Sequence, residues 1–162
     1  MDSGAPALTD ELATFLASGL SILVGTRDAS LRPTALRAGG AKATADRRHI
    51  EIALPTVTSA RTIANLRENG RIAVTFSRPS DYRSVQIKGR CIDIQDTPAS
   101  ERARLEAYRD AFTADLELVG LARENTLRLA VWPAITITMT VETMFDQAPG
   151  PQAGRPYEAP AT

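Results

Sequence analysis

Arg83-Ser84-Val85-Gln86-Ile87-Lys88-Gly89-Arg90-Cys91-Ile92-Asp93-Ile94 reads as one strand whose apolar residues change face part-way along. Val85 and Ile87 share one side, whereas Ile92 and Ile94 share the other, because side chains on a strand alternate with period two. A glycine stands at the switch. The spacing therefore predicts a bulge or sharp coil near Gly89 and Arg90, where the missing β-carbon lets the backbone turn. Strongly bent strands of this kind belong to barrels, so this segment sets the expectation for the whole chain.

Working outward, Arg71 to Phe76 alternates cleanly and reads as the preceding strand, with Ser77 to Tyr82, including Pro79, as the polar turn between them. On the other side a helix is expected from Thr97, with Pro98 in the first turn and Gly120 as its stop. Leu105, Tyr108, Phe112 and Val119 make a stripe at helical spacing, read as core packing rather than a cofactor contact. Two strands follow, Leu127 to Val131 and Ala134 to Glu142, with Trp132-Pro133 between them. The second alternates Ile135, Ile137, Met139 and Val141 against Thr136, Thr138 and Thr140.

Toward the N-terminus, Thr9 to Ser18 reads as a helix after a few loose residues. Thr9 is its cap, Asp10 and Glu11 suit its first turn, and Leu12, Phe15 and Leu16 share one face. Ser21 to Thr26 is a compact apolar strand, and residues 27–33 are a polar turn. Thr34 to Ala43 reads as a strand of unusually small residues, with Ala35, Ala38, Gly39, Gly40, Ala41 and Ala43. Small residues let a flat ligand or another backbone approach, but they equally suit a poorly packed edge hairpin. Arg48 to Pro55 is a strand with Ile50, Ile52 and Leu54 on one face.

The count is six or seven strands and about three helices, and most strand connections are too short for helical crossovers. The expected architecture is mainly β (α+β): an antiparallel split barrel with peripheral helices, spanning residues 1–145. Residues 146–162, with Pro149, Pro151, Pro156 and Pro160, cannot build a core. They are expected as an arm on the surface or on a partner subunit, or as a disordered tail.

Composition narrows the function. The 162 residues suit one domain at roughly 100 to 200 residues each. Nineteen basic residues balance nineteen acidic ones without a block of either sign, which argues against nucleic-acid and membrane-surface partners. A single cysteine, Cys91, leaves no intramolecular disulfide framework and no thiolate-rich metal site. A single histidine, His49, speaks against a His-based zinc site or a Ser-His-Asp triad, and its place in an alternating strand suggests a half-exposed residue. The opening residues lack the basic start and apolar core of a signal peptide, so a cytoplasmic location is expected. No glycine-rich dinucleotide fingerprint follows a strand, which removes support for a Rossmann site.

The strongest functional signal is Thr56 to Gly70, a short helix expected to be capped by Thr58 and stopped by Gly70. Its first turn holds Arg61 where the helix dipole would favour an acid. Thr56, Thr58, Ser59 and Thr62 surround that arginine with hydroxyls. Free amides, hydroxyls and a guanidinium at one helix end suit a phosphate dianion. The plainer alternative is an arginine that reaches out to solvent.

Three segments, Arg32-Pro33-Thr34-Ala35-Leu36-Arg37, Pro55-Thr56 with Ser59-Ala60-Arg61-Thr62, and Arg83 to Arg90, come in an order and spacing that resembles the pyridoxamine 5'-phosphate oxidase-related split-barrel flavoproteins. The resemblance covers roughly Leu12 to Phe145. It implies a homodimer with FMN in a groove at the subunit interface. Carried onto this chain, it implies that Arg32, Arg37 and Arg61 hold the FMN phosphate with Thr56 and Thr62, beside Pro55 at the strand end. Thr34, Ala35 and Leu36 would present backbone to the ring. Ser84 stands where the family has a glutamine, and Gln86, two residues along on the same face, is the alternative contact. Two departures stand out. Thr62 replaces the family's lysine, and no Arg-x-His-x-Arg segment follows, so oxidation of pyridoxamine phosphate itself is not implied. The ending from Phe145 to Pro151 instead resembles that of small members of the family.

The resulting expectation is a flavin-dependent oxidoreductase that takes a small-molecule redox substrate, with F420 or heme as alternative cofactors. A flavin-binding module without turnover is the reading from another class. No residue stands out as an acid or base, so no catalytic side chain is named.

Overall fold

The computed structural model describes residues 6–157. Most of the loose N-terminal segment and the end of the arm, including Pro160, lie outside the described residues. Helix α1 (Asp10–Leu16) starts as expected, with the Thr9 hydroxyl accepting from the Leu12 amide at 3.1 Å, and it buries Leu12, Phe15 and Leu16. Strands β1 (Ser21–Arg27), β2 (Pro33–Arg37), β3 (Gly40–Ala43) and β4 (His49–Pro55) follow. Helix α2 (Ala60–Asn69) leads to β5 (Arg71–Ser77) and the 13-residue β6 (Ser84–Asp96). A short 3-10 turn (Ala99–Glu101) opens α3 (Arg102–Leu118), then come the one-turn α4 (Arg123–Thr126), β7 (Ala134–Thr140) and β8 (Thr143–Asp146).

The strands pair antiparallel in the order β2-β1-β5-β6-β7-β4-β3, with β8 added along β6, forming an eight-stranded split barrel. β6 carries the chain between the two halves. Its first part pairs with β5 and β8, and its last part with β7. The bend sits where the phase change requires it. A β-carbon on Gly89 would overlap the Thr140 carbonyl oxygen, so only glycine fits there. The register shift falls between Cys91 and Asp93, a few residues later than the sequence suggested.

The small-residue segment behaves differently from its reading as one strand. It breaks between β2 and β3, which lie at opposite ends of the strand order. The Ala38 amide donates to Ile22 on β1 at 3.0 Å, and the Gly39 amide to Ala53 on β4 at 2.8 Å. Ala38 and Gly39 thus close the barrel's second side, with their amides turned to different sheets. Tight packing permits this: a β-carbon on Gly39 would lie 3.2 Å from Val131, and one on Gly40 2.8 Å from Leu105.

The core lies inside the barrel. Ile22 and Val24 of β1, Ile50, Ile52 and Leu54 of β4, Phe76 of β5 and Ile87 of β6 are wholly buried. Each such side chain contributes on the order of 1.5–3 kcal/mol relative to exposure. α3 buries Leu105, Tyr108 and Phe112, but Val119 is 46% exposed because the helix ends at Leu118, one residue before it.

The Leu127 to Val131 strand is not formed. The Leu127 and Leu129 amides donate to the Arg123 and Thr126 carbonyls, both at 3.0 Å, so these amides are satisfied within a turn. Beyond β8 the chain folds back: Tyr157 donates its amide to Met144 at 2.8 Å, and Pro156 bridges Phe145. As far as Tyr157, the arm therefore lies on the chain's own surface. Among the described residues no helix is long and apolar enough to cross a membrane.

Candidate functional site

α2 is positioned by its polar inner face. The Asn65 side chain donates to the Thr26 hydroxyl at 3.0 Å and reaches Thr34 at 3.5 Å, tying the helix to β1 and β2. Gly70 ends it in the left-handed conformation (φ 67°), as expected. Its start differs from the expected cap. The first helical residue is Ala60, and the hydroxyls of Thr58 and Ser59 turn back to the Pro55 and Thr56 carbonyls at 3.5 and 3.4 Å. Ser59 itself is helical in backbone, so its side chain cannot swing over the first amides. The helix therefore begins with no side-chain cap and no acid in its first turn, and the partial positive charge of its amides is left open.

Two side chains sit at this open end. Arg61 is exposed and, among the described residues, makes no ion pair or side-chain hydrogen bond. Thr62 is 1% exposed, and its hydroxyl has no partner among the described residues. A buried hydroxyl without a partner is unfavourable by about 1–3 kcal/mol unless something supplies the bond.

Next to this end lies a cavity of about 350 Å³. Ala35, Leu36 and Arg37 of β2, then Ala38 and Gly39, form one wall, and Pro55 and Thr58 a second. The opposite side is Tyr108, Arg109 and Phe112 of α3 with the turn Leu129 to Val131. The lining is mainly apolar with arginines at two points. Arg37 donates to the Ser21 hydroxyl at 2.8 Å and lies 5.7 Å from the Phe112 ring centroid. Tyr108 is held rigid, donating to the Leu16 carbonyl at 2.9 Å, and burial raises its phenol well above the usual range.

The structure gathers only some of the residues singled out from the sequence. Ala35, Leu36, Arg37 and Pro55 line the cavity, and the short link from Pro55 through Thr56 leads to Arg61 and Thr62 at the start of α2. Arg32 stands apart. It pairs with Asp28 (Nε to Oδ2, 2.8 Å) in the turn that meets the far end of α2, where Glu68 accepts from the Ala29 amide at 2.9 Å. The Arg32 amide, then its guanidinium, hold the Asp28 carboxyl below its usual range. Thr34 is engaged with Asn65.

Ser84 and Gln86 are on β6, with β1 and β5 between them and β2, so within one copy they stand about 14 Å from Arg37 at the usual strand spacing. Ser84 bonds Ser77 (2.6 Å) and Gln86 donates to Thr75 (3.3 Å). Arg109 and the Leu129 to Val131 turn were not legible as site residues, since nothing local marks a wall contributed from far along the chain. Phe112 was legible only as core, and it is both core and cavity wall.

Against this geometry the comparisons are consistent. The family model described as pyridoxamine 5'-phosphate oxidase matches residues 8–140, and the chain belongs to that family. No curated protein sequence matches it. The fold is similar to that of Group A Streptococcus HupZ, at 21% identity over 91% of this chain and 99% of that one (TM-score 0.55). An FMN-binding protein from Syntrophomonas wolfei is similar at 13% identity, over 84% of each chain (TM-score 0.53). A protein described as an F420 reductase is similar at 15% identity, over 85% of this chain and 98% of that one (TM-score 0.51). At these identities the likeness speaks to the fold.

Proposed function

We propose that this protein is an FMN-binding oxidoreductase of the split-barrel type, working as a homodimer. The observation that carries the reading is the open start of α2. An uncapped helix end, an unpaired Arg61 and the orphaned Thr62 hydroxyl adjoin a largely apolar cavity, in a chain of this family. In this reading Arg61 and the first-turn amides hold the phosphate, and Thr62 supplies a hydroxyl where a lysine would add charge. Ala35, Leu36 and Pro55 shape the dry side of the ring site, and Arg37 lies at its edge. The flavin, when bound, supplies the hydride chemistry, while the protein orients it and excludes water.

Ser84 and Gln86 fit this scheme through a second copy. They share the outer sheet face with Leu23, which is 46% exposed, and with Ala35 and Thr75. Pairing two copies through that region would carry the β6 residues of one toward the groove of the other.

F420 is the second cofactor reading, favoured by the likeness to an F420 reductase, since a deazaflavin also carries a phosphate. Heme fits less well in this cavity. His49 begins β4 and Pro55 ends it, about 20 Å apart at the rise of a strand, and His49 is paired with Asp46 at 3.1 Å.

The visible spectrum of the purified protein tests the reading. Two flavin bands are expected; a Soret band would replace FMN with heme, and a colourless protein that binds only added F420 would establish the deazaflavin. Anaerobic NADPH or NADH should then bleach the flavin. Retained colour with both would move the protein to the non-catalytic module.

A further inference from the structure

The flavin reading uses the β2 side of the cavity and leaves the opposite wall without a role. That wall is made by Tyr108 and Phe112, one turn apart on the same face of α3, and by the turn at Leu129, Ala130 and Val131. Both rings are fixed in advance. The Tyr108 hydroxyl donates its proton to the Leu16 carbonyl at 2.9 Å, so what the residue offers the cavity is its ring. Phe112 is held through its backbone: α3 packs so closely on Gly19 that a β-carbon there would lie 2.8 Å from the Phe112 amide nitrogen. A wall ordered before binding costs a ligand little to use.

Charge on this wall is balanced. Arg109 is the ionic residue that α3 adds to the lining, and it pairs with Asp110 at 3.2 Å. Arg37 reaches over from β2, but its guanidinium is bonded to Ser21 and lies 5.7 Å from the Phe112 ring centroid, at an exposed edge. The start of α2 has the opposite character. There open amides, an unpaired arginine and an orphaned hydroxyl suit an anion. An anionic group moved onto the α3 wall would lose its water without gaining an unbalanced charge from α3 or the turn.

The apolar surface continues past the lining. The Thr56 amide donates to the Pro133 carbonyl at 2.9 Å, which holds the loop carrying Val57 beside the end of the turn. Val57 is 73% exposed, and Leu127, two residues before Leu129, is 37% exposed. Apolar side chains next to an apolar cavity extend the surface from which an uncharged ligand displaces water.

We propose that the α3 wall seats the substrate, and that the substrate is an uncharged, flat, largely apolar molecule stacked on Tyr108 and Phe112 across from the flavin ring. The role of substrate rests on the flavin reading. The wall's preference for a neutral aromatic molecule does not.

Two probes with one ring system and different charge test this: neutral N-phenyl-1-naphthylamine and anionic 8-anilino-1-naphthalenesulfonate. Equilibrium dialysis against the full chain, with and without FMN, measures both. The neutral probe should bind about tenfold or more tighter than the sulfonate, with little dependence on salt, and FMN should not displace it. Ala130→Glu, at an exposed lining position, should weaken the neutral probe about tenfold or more with the melting temperature little changed. Leu129→Gln, at a half-buried one, should weaken it by a smaller factor.

Tighter binding of the sulfonate overturns the proposal, because the substrate would then be an anion. Displacement of the neutral probe by FMN puts the probe in the ring site, and wild-type affinity in Ala130→Glu removes it from the wall; either result also overturns it. A variant that alters only the sedimenting species gives the apolar surface to a second copy instead. If FMN binds and the neutral probe does not, the substrate class is wrong and the flavin reading stands. If the neutral probe binds as described and FMN does not, the substrate role falls with the flavin reading and the wall remains a neutral-ligand site.

Discussion

The barrel passes between its two halves at two places, and they are built in opposite ways. At Gly89 one unbroken strand bends and stays paired on both sides of the bend, so the backbone is committed and no β-carbon fits. At Ala38 and Gly39 the strand breaks, the two amides turn to different sheets, and the small side chains are packed by α3 and the turn at Val131. The first crossing is a scaffold. The second leaves a wall of small residues with a cavity beside it. A bent strand uses its main-chain groups on its neighbours, whereas a broken one exposes an edge that helices and ligands can cover.

Substitution at the two crossings tests this contrast, beginning with the largest effect. Gly89→Val should cost about 3 kcal/mol or more, because the clash is with backbone that cannot move independently. By thermal unfolding that is a fall of roughly 6 °C or more; a shift of a degree or two would show that β6 can relax. Arg61→Ala, next to the broken crossing, should weaken FMN binding by about 2 kcal/mol with little change in melting temperature. Unchanged affinity in a flavin titration would remove the phosphate role from α2.

Gly40→Ala should lower stability by only about 1 kcal/mol, since the close contact is the flexible end of Leu105. A loss as large as that at Gly89 would mean the two crossings are equally rigid.

The smallest expected effect concerns charge. β3 is tied to the start of α3 by Lys42, which meets Glu101 at 3.0 Å and Glu51 at 3.2 Å, and Arg104 bonds Glu101 at 2.6 Å. Arg104 first, and Lys42 with it, hold the Glu101 carboxyl below its usual range. Its folded value is below its unfolded one, so this stabilisation is present above the unfolded value and lost as pH falls through the folded one. The groups are partly exposed, so removing it by Glu101→Gln should change stability by under about 1 kcal/mol, with a flatter acid limb in a pH series of melts. An unaltered acid limb would show that packing alone holds β3.

Much of the barrel was legible because its signals are local. The alternation in Arg71 to Phe76, the buried face of Ile50, Ile52 and Leu54, the cap at Thr9 and the glycine at the phase change each follow from a few neighbouring residues. The misreadings share a cause. The period of two in Leu127, Leu129 and Val131 looks like a strand, yet the turn after α4 takes up the Leu127 and Leu129 amides, and Leu129 and Val131 line the cavity instead. Thr34 to Ala43 looks continuous because nothing local says that its amides will find two different sheets. Thr58 looks like a cap because it stands ahead of a helix, but its hydroxyl turns back to Pro55.

By itself, then, the order of residues determined an antiparallel barrel with a bent strand and a helix whose first turn carries Arg61, together with the family resemblance that the match over residues 8–140 bears out. Tertiary structure alone decided that Arg32 pairs with Asp28 away from that helix end, and that Arg109 and Val131 share a cavity with Ala35. The physical reason is range. Capping, alternation and backbone freedom act within a few residues, whereas a site is made by groups that strand register brings together from far along the chain.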